Sequence, residues 1–218
     1  MKAPLALGLL ASTAFAAGAD VSPQRPESCV LVATVQDDHC AAKSYYRCSG
    51  PGSVVFRIDV HYAGGEVEIH TADANHGGIE IISPPGGAHY SIRAQGDHPR
   101  IVVETGSGRE TEIASITRNG KSQTATMVAD YSYLGKSRKL AGETFYRLNY
   151  ATTITFPASG SVLHTSGTVL YNDQLDLLID EVEVSDGQGG PARKIKLSSL
   201  SLEGQKGFGS IKPKYGCN

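Results

Sequence analysis

The sequence predicts an almost wholly β-sheet protein, built on a large curved antiparallel sheet that forms a half-barrel or a barrel-like meander. Glycine (25) and proline (10) together make up 35 of the 218 residues, and they separate short runs of alternating apolar and polar side chains. Such runs between turn residues are typical of strands joined by turns. One alternating run is far longer than an ordinary strand. A β-sandwich is the alternative architecture.

The clearest strand pair lies between residues 56 and 70. Apolar and polar side chains alternate along Phe56–Tyr62, and a second alternating run follows at Glu66–His70. Gly64–Gly65 predicts a two-residue turn, because that turn keeps every apolar side chain on one face. A three-residue loop would mix the faces.

The long run covers Glu143–Phe156, where aromatic and aliphatic side chains share one face and polar side chains share the other. Fourteen extended residues would span about 46 Å, whereas the usual strand has five or six residues. A strand of that length suits a large curved sheet better than a compact sandwich.

Two C-terminal segments have less regular patterns. Residues 172–184 fit helical spacing with Asn172 as a cap, but several carboxylates would then crowd the negative end of the helix dipole, so we predict a strand. In a regular strand, the side chains of Leu197 and Leu200 would point to opposite faces of the sheet. The change of phase at Ser198–Ser199 predicts a β-bulge.

The N-terminus has the pattern of a secretory signal peptide. A charged start at Met1–Lys2, a short apolar run and small residues at the spacing of a cleavage site predict a signal peptide over residues 1–19. Residues 20–218 are then a single β domain. No apolar run is long enough for a transmembrane segment. The predicted location is the periplasm or the medium.

Charge and motifs restrict the partners. The formal net charge of −2 provides no field for nucleic acid or an anionic membrane. No glycine-rich phosphate loop lies between a strand and a helix, so we predict no nucleotide and no other cofactor. The sequence does not identify a protein partner.

Four cysteines predict disulfide bonds, because cysteines of an exported chain are usually paired. Three pairings are open. We favour Cys40 with Cys48, closing a local loop, and Cys29 with Cys217, joining the termini. The spacings do not suit a zinc site, since there is no C-x-x-C pair.

The hairpin supplies the only metal candidates that we identify. With the two-residue turn, one face would carry Asp59, His61, Glu68 and His70, with His61 opposite Glu68. Two imidazoles and two carboxylates can hold a divalent ion. We favour a solvated face with cross-strand charge pairs, and therefore no metal.

An aromatic stripe supplies the ligand-binding candidates: Tyr131, Tyr133, Tyr146, Tyr150 and Phe156. Tyrosine is amphipathic, so a group of tyrosines suits an apolar cavity with a wet mouth. The competing interpretation is an ordinary packed core.

The stretch Cys40–Cys48 near the start, with Leu202–Phe208 and Lys214–Cys217 at the end, resembles a group of exported bacterial proteins of unknown function. That resemblance implies no activity. In architecture alone, the long strands resemble the open half-barrels that carry lipids or lipoproteins across the periplasm. Fold does not imply function, so this second resemblance implies no reaction either.

Three functions from different classes follow. The first is a periplasmic binding or carrier module for an apolar or amphipathic ligand, such as a small molecule or a lipid. The second is an envelope-associated structural or protein-interaction module. The third and least favoured is a metal-dependent enzyme centred on the hairpin histidines, because no motif specifies a reaction.

Overall fold

The computed structural model describes residues 27–49, 54–187 and 190–217. Within them, antiparallel strands pair in chain order and the last strand pairs with the first, which closes a twelve-stranded barrel. The predicted barrel-like all-β architecture is confirmed. The predicted signal peptide lies outside the described residues. The strands are β1 (Cys29–Asp37), β2 (Ala41–Cys48), β3 (Phe56–Tyr62), β4 (Val67–Ala72), β5 (Gly78–Ile82), β6 (His89–Gly96), β7 (Ser107–Arg118), β8 (Lys121–Leu140), β9 (Glu143–Phe156), β10 (Ser161–Asn172), β11 (Leu177–Gly187) and β12 (Gly190–Leu202).

Because neighbouring strands run in opposite directions, successive connections alternate between the two ends of the barrel. We call one end the turn end; its described connections are residues 38–40, 63–66, 83–88, 119–120 and 157–160. We call the other the helix end; its connections include residues 73–77, 97–106, 141–142 and 173–176.

The helix end holds helix α1 (Pro99–Thr105), in the β6–β7 connection. His98 caps its first turn, and Gly106 ends it in the left-handed conformation, with φ 90°. Val102 is 1 % exposed and packs in a cluster with Leu148 and Tyr171. Helix α1 therefore fills this end of the barrel.

Across the described ranges, no helix has the length and apolar character needed to cross a membrane.

Consecutive residues are buried at the end of β10. Val169, Leu170, Tyr171 and Asn172 are all buried, although successive strand residues point to opposite faces. Leu170 packs in a second cluster with Phe145, whereas Val169 and Tyr171 pack against α1. Both faces of the sheet are therefore covered here.

Three sequence predictions about strands are confirmed. Strand β9 has the predicted bounds, Glu143–Phe156. The ambiguous C-terminal segment contains strand β11, and the Asn172 side chain accepts a hydrogen bond from Leu175 N in the preceding turn. The register shift in the β1–β12 pair, where Ser199 faces Gln36 but Leu197 faces Asp37, is the predicted bulge.

The register predicted for the β3–β4 hairpin is wrong by one residue. Tyr62 N donates to Glu66 O at 3.0 Å, and His61 faces Val67 instead of Glu68. The turn is therefore the three-residue loop that mixes the faces, with Gly65 at φ 89°. The prediction assumed a purely apolar interior, whereas the interior beside this hairpin is charged.

The favoured disulfide pairing is also wrong, although all four cysteines are paired, as predicted. The bonds join Cys29 to Cys48 and Cys40 to Cys217. Strand β2 runs almost directly from Cys40 to Cys48, so its extended backbone holds these two about 25 Å apart. Cys29 lies directly opposite Cys48 in the β1–β2 register instead.

Residues 203–217 return along the outside of β1, from the helix end to the turn end. Gly209 N donates to Thr34 Oγ1 and Lys214 N to Gln36 Oε1, each at 2.9 Å. The disulfide to Cys40 fixes the end of this segment. These contacts explain why Thr34 and Gln36 are buried although they are polar.

Candidate functional site: the barrel interior

One side of the interior is apolar. Along β6, the side chains of Ser91, Arg93 and Gln95 are exposed, while the alternate side chains are shielded inside the barrel. The register continues this inner face across β7 to β10. We call the apolar residues on this face the apolar wall: Tyr90, Ile92, Ile116, Met127, Ile154, Phe156 and Leu163.

A cavity of about 530 Å³ lies against the apolar wall at the turn end. Tyr90, Ile116 and Phe156 contribute its apolar surface, and Arg118 and Lys121 stand at its edge. The volume falls within the roughly 300–1,000 Å³ typical of small-molecule sites. The cavity thus has the size of a ligand site, and its lining is mixed, with Ser122 and Gln123 beside the apolar residues.

The opposite side of the interior is charged. It surrounds a second cavity, of about 190 Å³. We call the ionisable residues that β2, β4, β11 and β12 place there the charged wall: Lys43, Glu68, His70, Asp180, Glu183 and Arg193. Apolar and charged surfaces therefore face each other across one barrel.

Lys43 is the central cation of the charged wall. Its Nζ lies 3.5 Å from Asp180 Oδ2 and 3.8 Å from Asp37 Oδ2. Burial is the largest single influence and would lower the pKa of Lys43, but Asp180, Tyr45, Asp37 and Glu183 together outweigh it and raise the pKa. Lys43 is therefore a permanently charged group.

The carboxylates of the wall are not all paired in the same way. Glu68 Oε1 lies 2.6 Å from His70 Nε2, and Ser83 Oγ donates to Glu68 Oε2 at 3.1 Å. The hydrogen bond from His70 leads the contacts that lower the pKa of Glu68. Burial and the nearby Asp180 raise the pKa of Glu183. Burial therefore opposes the charged form of Glu183, whereas the contacts of Glu68 favour its charged form.

Further carboxylates lie deeper, towards α1. Burial and the neighbouring Glu112 raise the pKa of Glu110 to about 7. Glu112 accepts a hydrogen bond from Gly78 N at 3.0 Å, yet burial raises its pKa as well. The interior below the cavities therefore changes its charge near neutral pH.

The predicted aromatic stripe divides into two parts. Tyr131 lies 6.2 Å from Tyr150 and Tyr133 lies 5.9 Å from Tyr146, measured between ring centroids. These four tyrosines belong to the cluster that packs around α1. Phe156 lies at the turn end and lines the larger cavity. Ligand binding by these five residues stays a prediction.

The four metal candidates of the hairpin do not converge. The corrected register turns Glu68 and His70 into the interior, on the face of Val60, and turns Asp59 and His61 outward. On the outer face, Arg57 Nε donates to Asp59 Oδ1 at 2.6 Å. The barrel wall separates the two pairs, so they cannot share one ion.

The structure instead brings together three residues that sequence reasoning did not connect. His76, His98 and Asp176 lie in three connections at the helix end, and we call them the basal cluster. His76 and Asp176 are 100 residues apart in the chain. No local spacing relates these residues, and only the closure of the barrel reveals the group.

Comparison of the chain with protein-family models, curated protein sequences and solved structures gives no match. The molecule is thus defined by its architecture: a disulfide-bonded, twelve-stranded up-and-down β-barrel with one apolar and one charged interior wall. Barrels of this size enclose ligand cavities when side chains do not fill them.

Proposed function

We propose that the protein is a binding or carrier module for an amphipathic small molecule or lipid held inside the barrel. The apolar part of the ligand lies on the apolar wall, and its polar group reaches the charged wall. One observation carries the proposal: a single barrel interior offers both surfaces, with cavities of about 530 Å³ and 190 Å³ beside them.

The energetics favour a ligand of mixed character. Apolar ligand surface that leaves water contributes about 25 cal/mol per Å². A purely apolar ligand would leave the charged wall without a partner for its polar groups, and desolvating such groups is costly. An amphipathic ligand satisfies both surfaces at once.

The proposed location is the periplasm or the medium. Two disulfide bonds, one of them joining residues 177 apart, support an oxidising compartment. A carrier in that compartment could move poorly soluble molecules through water.

The test measures uptake of an uncharged apolar fluorophore, N-phenyl-1-naphthylamine, by the native protein. Gln123 lines the larger cavity, and its neighbour Thr124 points outward. We expect Gln123→Trp to fill the cavity and reduce uptake at least several-fold. Thr124→Trp, the matched control on the opposite face of the same strand, should leave uptake unchanged.

Native mass spectrometry of protein purified from its own envelope tests the same proposal without a probe. The expected spectrum contains a bound amphipathic molecule of defined mass. A ligand-free spectrum, together with no fluorophore uptake, would refute the carrier proposal. The interaction module predicted as the alternative would then be the function to test.

A further inference from the structure

The basal cluster brings three metal-ligating atoms together. Nε2 of His76 lies 3.1 Å from Oδ1 of Asp176, and Nε2 of His98 lies 3.2 Å from the same oxygen. All three atoms lie within 4.8 Å of one another. They come from the β4–β5, β6–β7 and β10–β11 connections, which meet only in the closed barrel.

The spacing fits a tetrahedral ion. With metal–ligand bonds of about 2.0–2.1 Å, neighbouring ligands of a tetrahedral site lie about 3.3 Å apart. The two distances to Asp176 are already close to this value. Two imidazoles and one carboxylate are also a donor set that zinc uses, with a fourth position left for water.

The surroundings hold the ligands in place. The ring of Phe56 stacks on His76 with centroids 4.1 Å apart, and Tyr171 Oη donates to Asp176 Oδ1 at 3.3 Å. Metal ligands usually have such supporting contacts. His76 and Asp176 also have positive φ angles, 65° and 45°, a conformation that is uncommon for residues other than glycine.

The cluster is reachable from outside. The side chains of His76, His98 and Asp176 are 8 %, 19 % and 30 % exposed, so the carboxylate is open to solvent while the imidazoles are largely shielded. An ion can enter without unfolding the helix end.

We propose that His76, His98 and Asp176 bind one divalent transition-metal ion of the zinc class. The ion would link three connections that strand pairing alone leaves independent. It would thereby fix α1, which fills the helix end, to the two loops beside it. This site lies outside the proposed ligand cavities and does not rest on the carrier function.

An ion would replace the hydrogen bond between His76 Nε2 and Asp176 Oδ1, and one further contact, made by His98, opposes metal binding. Arg100 N donates to His98 Nδ1 at 3.1 Å, which places the proton of a neutral His98 on Nε2. Coordination through Nε2 moves that proton to Nδ1 and gives up the capping bond. Loss of an N-cap hydrogen bond lowers the equilibrium constant for folding roughly fivefold. Metal binding of micromolar affinity or better outweighs such a factor.

The test titrates the native protein with Zn²⁺ by isothermal calorimetry, and with Co²⁺ by visible absorption. We expect one saturable site per chain and the intense d–d bands of tetrahedral Co²⁺. His98→Asn removes the imidazole but keeps a good capping side chain, so the helix remains capped. It should weaken Zn²⁺ binding at least 10-fold, a loss that even supporting residues of metal sites can cause.

His164→Asn is the matched control, because His164 is an exposed histidine on β10 away from the helix end. Its Zn²⁺ affinity should equal that of the wild type. Circular dichroism checks that each variant is folded. The proposal is overturned if the wild type shows no saturable site, or if a folded His98→Asn variant binds as tightly as wild type. Wild-type Co²⁺ spectra without tetrahedral bands would overturn it even if the variant failed to fold.

Discussion

Tyr131 donates a hydrogen bond from its hydroxyl to Glu110 Oε2 at 3.1 Å, across neighbouring strands inside the barrel. This bond favours the carboxylate form of Glu110, but burial and the charge of Glu112 outweigh it and raise the pKa of Glu110 to about 7. The same burial raises the pKa of Glu112. Folding therefore favours the protonated forms of two interior acids.

The contribution of Glu110 to stability should consequently fall as pH rises from 4.5 to 7. An unfolded Glu110 titrates near 4.5, and the folded one near 7. Between these values the folded state binds more protons, so the free energy of unfolding decreases with pH and levels off above 7. Glu110→Gln should remove this penalty and raise stability at pH 8 by up to about 3 kcal/mol. Urea titrations at pH 4 and pH 8 measure the difference.

The control for this substitution is Glu104→Gln, an exposed glutamate on α1. The free energy of unfolding of the Glu104→Gln variant should equal that of the wild type at both pH values. The expected gain of Glu110→Gln vanishes at pH 4, where wild-type Glu110 is already neutral. An equal effect at both pH values would show that packing, and not ionisation, explains the change.

The two disulfides should differ in their contribution to stability. Cys40–Cys217 closes a separation of 177 residues, whereas Cys29–Cys48 closes one of 19. The loop-entropy model assigns them about 5 and 3 kcal/mol respectively. Replacing both cysteines of the long loop by serine should therefore lower the free energy of unfolding by about 2 kcal/mol more than the matched double replacement in the short loop.

Denaturant titration of the two double variants under identical conditions provides the measurement. An equal or larger loss for the short loop would mean that the C-terminal segment stays on β1 without its bond. The backbone contacts of that segment with Thr34 and Gln36 would then be sufficient to hold it.

Gly167 should not tolerate a side chain. A Cβ at this position would overlap the backbone oxygen of Val182 and lie 2.9 Å from the ring of Tyr150. Backbone cannot move as a side chain can, so Gly167→Ala should cost about 3 kcal/mol of stability. Gly64→Ala is the control, because the nearest atoms there belong to the flexible carboxylate of Glu66. A change within about 0.5 kcal/mol is expected at Gly64.

The local features of this fold were predictable because alternation is a local signal. The bounds of β3 and β9 and the bulge beside Ser199 follow from the order of apolar and polar residues alone. The pairing of β1 with β12 joins the two ends of the chain, and no local pattern encodes it. A half-barrel and a closed barrel therefore have the same strand pattern.

The error in the β3–β4 register originates in the barrel interior. The alternation rule places polar side chains outside, but Glu68 and His70 point into the charged wall. A rule that assumes an apolar core must then choose the wrong β3–β4 register. The basal cluster was hidden for a different reason, since His76 and Asp176 are 100 residues apart in the chain and approach each other only in the closed barrel.

Truncation of two aromatic residues on β9 provides the sharpest test of the interior. Tyr150 is 8 % exposed and packs in the cluster around α1. Tyr150→Ala should therefore cost about 3–5 kcal/mol, as aromatic truncations in packed interiors do. Phe156 shares the same face of the strand but lines the cavity at the turn end.

Phe156→Ala should cost only about 1 kcal/mol, because few neighbours pack against a ring that faces a cavity. It should nevertheless weaken N-phenyl-1-naphthylamine binding several-fold, since it removes apolar surface from the apolar wall. Urea titration and probe titration of the same samples separate the two effects. If Phe156→Ala costs as much stability as Tyr150→Ala and leaves probe binding unchanged, the turn end is packed core and the ligand cannot lie there. A small stability loss with weaker probe binding is the result that a ligand cavity requires.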